Sequence, residues 1–445
     1  MNSKFNQLWL SLIHPGIILI LFHMCSYPVL SFAQNLNQDE KSMIQFIDEQ
    51  EAEALSFLER VVNINSGTTN HQGVREVGKL FFNEFEKLGL RSEWISMPDT
   101  VNSAGHLFAY RTGTQGKRVL LIGHLDTVFE KESPFQKFVL QDSVALGPGV
   151  NDMKGGDVAI LYALKALNQV NALDNTSIIV AFTGDEERVG RPTSVTRKHL
   201  VEAAKQSDVA LGFETGIEGY AAVARRGTSE WILDVKGTQG HSSRIFSQEY
   251  GSGAVFEASR ILNNFYEQLR GEQYLSFNPG IILGGTEVKY DSHENRGTAF
   301  GKTNVIAQDV IVEGGLRFIS NEQRDRTKKR MEHIAITNNY SGTSSKITFS
   351  DGYPAMPPLP GNYELLKMFD QVSQDLGFEP IEAYDPGKRG AADISFVAPY
   401  IESCLAGLGV IGTGAHTINE TMNISSLAKT AKRTALLIYR LTREE

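Results

Sequence analysis

The stretch Arg118-Val119-Leu120-Leu121-Ile122-Gly123-His124-Leu125-Asp126-Thr127-Val128 decides the fold class. Its first half is a continuous apolar run, the pattern of a strand buried on both faces. Its second half turns through glycine into an imidazole and a carboxylate two residues on. Two further runs, Ser177 to Phe182 and Val209 to Phe213, have the same form and also end at polar, Gly-containing turns. A helical pattern at Val158 to Leu167 lies between the first two. Upstream, Val74, Val77, Leu80, Phe81, Phe85 and Leu88 recur at helical spacing, with Gly89 as a stop signal. Buried strands separated by helices predict an α/β domain whose sheet is covered on both faces, with ligands gathered at the carboxyl ends of the strands.

After Arg226 the pattern changes. A half-buried strand at Ser229 to Val235 is followed by a helix at Val255 to Leu269, then by extended runs at Pro279 to Leu283 and Asp309 to Ile319. A charged helix from Asn321 to Ile336 and a strand at Lys346 to Ser350 complete the series. The order β-α-β-β-α-β predicts an inserted α+β domain with a four-stranded sheet and two helices. Pro354, Pro357, Pro358 and Pro360 then form a stiff connector, after which helix and strand alternate again up to a helix at Ser426 to Leu441. The expected division is 1–33 as a signal peptide, 34–226 and 351–445 as two parts of one catalytic domain, and 227–350 as the insertion.

Composition narrows the functional classes. With 41% apolar and 21% charged residues the chain is globular rather than disordered. The net charge of -9 and the absence of a long basic run argue against nucleic acid; Arg324 to Arg330 reads as the solvated face of a helix. Lys4, the apolar stretch Leu8 to Phe22 and Ser31-Phe32-Ala33 before Gln34 have the order of a secretory signal peptide. Pro15 and Gly16 interrupt that stretch and leave it short of the roughly 20 residues a bilayer span requires. An exported protein, periplasmic or secreted, is therefore expected, without stable membrane insertion after cleavage. Cys25 would leave with the signal peptide unless lipid-modified, and Cys404 alone permits no internal disulfide.

The polar residues at the strand ends carry the chemistry. A His at a strand end suits a metal ligand when an acid orients its second ring nitrogen, as Asp126 would for His124, although this stretch alone reads more readily as a structural histidine. Gly147-Pro148-Gly149-Val150-Asn151-Asp152-Met153-Lys154-Gly155-Gly156 presents one carboxylate before a helix, either as a ligand or as an N-cap. Thr183-Gly184-Asp185-Glu186-Glu187 sets three acids in succession, which requires compensating cations or full solvation. Glu214 ends the next strand, and His416 lies in Gly412-Thr413-Gly414-Ala415-His416-Thr417-Ile418-Asn419-Glu420.

These five pieces, in this order and at these separations, resemble the M20 metallopeptidases over nearly the whole mature chain, and are most similar to the glutamate carboxypeptidase branch. The resemblance implies a zinc-peptidase-like catalytic domain with a mixed sheet, and a lid formed by the insertion. It implies two zinc ions, with cobalt or manganese as alternatives. Asp152 would bridge them, His124 and Glu214 would complete one ion's ligands, and Glu187 and His416 the other's. Asp126 would orient His124, Glu186 would act as general base, and His241 of the lid would assist, in dimeric members from the partner subunit. Asn304 and Arg317 resemble substrate-binding lid positions, although Ala307 and Gly315 depart from the family's usual residues nearby. The implied activity is hydrolysis of an amide bond beside a free carboxylate in a small peptide or N-acyl amino acid. Arg225, Arg226, Lys388 and Arg389 are further cations for that carboxylate. An aminoacylase or aminopeptidase is the alternative within the family, and a non-catalytic exported binding protein the alternative outside it. A homodimer through the lid is a further expectation.

Overall fold

In the computed structural model, which describes residues 36–292 and 294–443, strand Gln115–His124 is an interior strand of a six-stranded sheet. The strand order is Arg91–Ile95, His106–Arg111, Thr176–Thr183, Gln115–His124, Val209–Gly212, Ser403–Leu405. The last four are mutually parallel and the first two pair antiparallel, so the sheet is mixed. The period-2 geometry of a strand divides its apolar run between two cores. Val119 and Leu121 enter the core on one face, and Leu120 and Ile122 enter the core on the other. The sheet is thus buried on both sides, as the continuous apolar runs predict. The expected signal peptide and Cys25 lie outside the described residues.

Helices Lys154–Gln169 and Ile424–Leu441 pack on each other and help to cover one face. The first is apolar almost all round, and Val158, Ile160, Leu161, Leu164 and Leu167 are each fully buried. Replacing Leu161 by Ala would cost about 2–5 kcal/mol through lost burial and the resulting cavity. The helix begins close against a strand end because two glycines allow it. A Cβ at Gly156 would lie 2.3 Å from the carbonyl oxygen of Phe213, and one at Gly155 the same 2.3 Å from that of Val150.

The segment expected as an insertion forms its own four-stranded sheet, ordered Ser276–Gly285, Asp309–Phe318, Gly227–Gly237, Thr343–Asp351. Trp231, Leu233 and Val235 alternate onto one face, where Ile261 and Phe265 of helix Gly253–Leu269 and Met331 and Ile334 of helix Asn321–Ile336 close a separate core. A hairpin of Glu287–Asp291 with Arg296–Phe300, absent from the sequence reading, lies beside this sheet. Its strands are short and largely exposed, so no buried apolar run marks them.

A third sheet joins Gly412–Thr413, Thr421–Asn423, Val144–Leu146 and Val139–Gln141. It sets the turn containing His416 beside the loop containing Asp152. Among the described residues, no helix is long and apolar enough to cross a membrane.

Candidate active site

The site lies at the carboxyl ends of the parallel strands. His124 is the last residue of its strand and pairs in register with Thr183, which ends the neighbouring strand. Two residues beyond Thr183 the acids begin, and Glu214 follows strand Val209–Gly212 on the other side. Adjacent parallel strands therefore deliver His124, Glu186, Glu187 and Glu214 to one edge.

The donors converge closely. His124 Nε2 is 3.4 Å from Asp152 Oδ1 and 3.9 Å from Glu214 Oε1. His416 Nε2 is 3.2 Å from Asp152 Oδ2 and 3.2 Å from Glu187 Oε2. Asp152 thus stands between the imidazoles, one oxygen toward each. Ligand atoms of His124, Asp152 and Glu187 lie within 4.8 Å of one another, as do those of His124, Glu186 and Glu214. Asp152 does not cap the following helix: its N-cap is Met153, and no side chain makes the capping bond.

The environment fits divalent cations. His124 Nε2 and Asp152 Oδ1 are buried without a hydrogen-bond partner, which is costly unless a ligand completes them. Burial, then repulsion from Glu214, raises the Glu186 carboxyl well above its ordinary range. Burial also raises Glu187 and, together with the Asp152 charge, Glu214. Burial opposes protonation of His124, but bonding to Asp126 and Asp152 raises its pKa well above the usual value. Bonds to Asp152 and Glu187 push His416 up to about 11. A cluster that draws protons onto imidazoles and carboxyls alike is one that divalent cations would stabilise.

Asp126 does more than orient His124. The imidazole Nδ1 lies 3.1 Å from the main-chain oxygen of Asp126 and 3.4 Å from its carboxylate. The carboxylate accepts bonds from the main-chain N–H of Glu186 (3.0 Å) and of Glu187 (3.1 Å), and from the Thr68 hydroxyl (2.6 Å). It fixes the turn that carries both acids.

Several positioning residues escaped the sequence reading. Asp185, the first of the three acids, points away from the donors and pairs with Arg197, which also bonds Asp393 at 2.7 Å. All three are buried. Thr183 donates to the other oxygen of Asp393 at 2.7 Å, and His106 Nδ1 accepts from the Gly184 N–H at 3.1 Å. Glu420 accepts from the N–H groups of Gly149, Asn151 and Asp152. Thr183, Gly184 and Asp185 in the acidic turn and Glu420 at the end of the His416 motif were quoted in the sequence without these roles, and Arg197, Asp393 and His106 left no trace there.

The remaining expected residues lie on the four-stranded unit. His241 is exposed and bonds Ser243, and the adjacent Ser242 N–H donates to the Asn304 carbonyl at 2.9 Å, so His241 and Asn304 are neighbours. Arg317 pairs with Thr228 and Ser276 in the sheet, close enough to Arg226 for the two charges to repel. Among the described residues, none of these three makes a hydrogen bond or ion pair with the donor cluster. On the catalytic side, Arg225 donates to the carbonyls of Gly390 (2.7 Å) and Ala391 (3.2 Å), and Arg389 donates to that of Thr215. Arg225 Nη1, Arg226 Nε and Arg389 Nε are buried without partners.

The sequence pattern of peptidase family M20/M25/M40 matches residues 120–440. Carboxypeptidase G2 of a Pseudomonas species is 26% identical over 408 residues, covering 88% of this chain and 90% of that protein. Succinyl-diaminopimelate desuccinylase of Hydrogenovibrio crunogenus is 25% identical, covering 88% and 98%. Among solved structures, aminopeptidase PepT of Bacillus cereus is similar in fold with a TM-score of 0.71 at 18% identity, covering 88% of this chain and 98% of its own. The Bacillus subtilis YXEP protein, described as a dinuclear metal-binding peptidase from the M20 family, gives 0.61 at 14% identity with the same coverage.

Proposed function

The chain belongs to peptidase family M20/M25/M40 and is a hydrolase of that type, and on that premise we propose that it is an exported dizinc carboxypeptidase-like enzyme. It would cleave an amide bond beside a free carboxylate, releasing glutamate or another amino acid from a small peptide or N-acyl amino acid. The observation that carries the reading is the position of Asp152, with one oxygen toward His124 and the other toward His416. In this reading His124, Asp152 and Glu214 would hold one ion and Asp152, Glu187 and His416 the other. Cobalt or manganese could replace zinc with the same donors. Bound there, the two ions would supply Lewis-acid polarisation of the amide carbonyl and make water more acidic.

Glu186 reaches the same space as His124 and Glu214, and by distance alone it is also a ligand candidate. We assign it as the base because Asp152, Glu187, Glu214 and the imidazoles already give each ion three protein donors. Glu186 then accepts the proton of the attacking water and returns it to the leaving nitrogen as the amide C–N bond breaks. Asp126 holds Glu186 and Glu187 in place through their main-chain N–H groups.

The unpartnered guanidinium atoms of Arg225, Arg226 and Arg389 support recognition of a substrate carboxylate. Residues 227–350 would act as a lid that brings His241, Asn304 and Arg317 toward the substrate on closure. Exposed Val255, Phe256 and Tyr266 on helix Gly253–Leu269 support a homodimer through this unit. Export would remove residues 1–33.

The desuccinylase relative favours a second reading, in which the recognised group is the acyl chain of an N-acyl amine. A panel of N-acyl amino acids, dipeptides and C-terminal glutamyl peptides, each with a free or amidated carboxylate, separates the two. Hydrolysis confined to free-carboxylate substrates is expected. Equal turnover of the amidated forms would refute the carboxypeptidase reading.

A further inference from the structure

We propose that Glu420 is a positioning residue that locks the loop carrying Asp152 to the turn carrying His416, and so sets the separation of the two donors before an ion binds. The inference rests on the reading of Asp152 and His416 as metal ligands. The two residues come from chain segments far apart in sequence, and each lies on irregular backbone. Asp152 ends the Gly147–Asp152 loop, where Gly149 has φ +80°, and His416 itself has φ +64°. Neither segment would hold its shape through helix or strand bonding alone.

Glu420 supplies the missing connection. It lies four residues after His416 and is fully buried. One carboxylate oxygen accepts from the Gly149 N–H at 3.0 Å, and the other accepts from those of Asn151 and Asp152, both at 2.9 Å. The Gly147 N–H donates to the Glu420 carbonyl at 3.4 Å, so both ends of the loop bind one residue. Just outside these contacts, Thr421 pairs with Leu146 in the third sheet. The loop and the turn are therefore the two ends of one hydrogen-bonded unit, and Glu420 closes it.

The chemistry of the residue suits this task. A buried carboxylate is retained only where its charge is met, and among the described residues no ion pair meets it here. Burial pushes the carboxyl up to about 7, while the three main-chain N–H groups that converge on it favour its charged form and give it three acceptor contacts. Glutamine would present an NH2 group to donors that need an acceptor. The Asn151 side chain offers no substitute anchor, since both its polar atoms lack partners.

The test compares wild type with Glu420→Gln and Glu420→Asp, each metal-stripped and then titrated with zinc, cobalt or manganese. Melting temperature and competition against a chelator are read for each. Both variants should bind metal about 10- to 100-fold more weakly, the usual effect of losing a partner that orients a ligand. Their metal-free melting should change less than the increment gained on adding metal, and excess metal should restore much of the turnover. Wild-type metal affinity in a folded variant would overturn the proposal. Loss of the folded state in both variants would overturn it too, making Glu420 a requirement of the fold rather than of the ligand pair. If wild-type protein gains no stability from any of the three metals, the metal reading itself fails, which is a separate result.

Discussion

The Tyr353 hydroxyl donates a 2.9 Å hydrogen bond to the main-chain carbonyl of Glu186. Tyr353 stands where the chain returns from the four-stranded unit, its carbonyl accepting from the Thr228 N–H at 2.8 Å and its own N–H donating to the Thr228 hydroxyl at 3.1 Å. The joint between the two sheets thus touches the turn that carries the proposed base. Phe396 packs against the tyrosine ring with centroids 4.9 Å apart, so a phenylalanine would keep the packing. One such hydrogen bond contributes about 0.5–1.5 kcal/mol. Tyr353→Phe should lower kcat by roughly 2- to 10-fold with unchanged metal content, as read by steady-state kinetics and metal analysis. An unchanged kcat would show that the hydroxyl does not position Glu186.

The buried ion group beneath the acids predicts a stability effect. Arg197 pairs with both Asp185 and Asp393 in a site closed to water. Arg197→Met leaves two buried carboxylates without their cation, and breaking such a pair costs about 3–5 kcal/mol. Denaturant unfolding should show a loss of that size. A loss within about 0.5 kcal/mol, typical of a surface substitution, would contradict the account.

The pH dependence of the metal-free protein follows from the shifted groups. Glu186, Glu187 and Glu214 lie above their ordinary value of 4.5, so the folded chain keeps protons that the unfolded chain has released. Each therefore costs stability as the pH rises through that window. His124 and His416 are raised above 6.5, the latter to about 11, and their contribution is present below 6.5 and lost as the pH rises toward the folded value. Asp126 and Asp152 are lowered, so their stabilisation is already complete above their ordinary 3.8. Above neutrality the two imidazoles act in one direction, and Lys154, which burial lowers to about 7, opposes them more weakly as a single group. Metal-free protein should melt lower at about pH 8.5 than at about pH 6, and added metal, replacing the protons, should raise melting more at the higher pH. Calorimetry at the two pH values checks both statements.

Substrate recognition gives a kinetic prediction. Arg389 lies near Glu214 and Asp152, and one of its guanidinium nitrogens is unpartnered. Arg389→Met should raise KM about 10-fold or more for substrates with a free carboxylate, the scale of a lost charge-assisted hydrogen bond, and much less for amidated analogues. Equal effects on both would assign Arg389 to supporting the backbone at Thr215 alone.

The catalytic sheet was legible because its strands are buried on both faces: Val119 to Ile122 read as an unbroken apolar run, and the run stops where His124 emerges. The four-stranded unit was legible from the alternation at Ser229 to Val235. Strands His106–Arg111 and Arg91–Ile95 were missed; both carry polar and charged residues, and the latter is a half-exposed edge strand. The donors could be read because each adjoins a strand end or a glycine turn. Their supports could not: Arg197, Asp393, His106 and Tyr353 act through contacts across long sequence separations, and nothing local marks them. The adjacent acids Asp185, Glu186 and Glu187 looked equivalent, yet Arg197 turns the first away from the site. The buried Arg225 and the half-buried Arg389 were visible as cations, but their unpartnered nitrogens are a property of the fold alone.

Glu186 is assigned to move protons beside a metal pair that other residues would hold. The direct measurement is metal stoichiometry together with turnover for Glu186→Gln. Two divalent ions per chain at near wild-type affinity are expected, with a fall in kcat of about 10²- to 10⁴-fold, the usual contribution of a positioned acid–base group. Near-normal turnover, or loss of an ion from the variant, would contradict it.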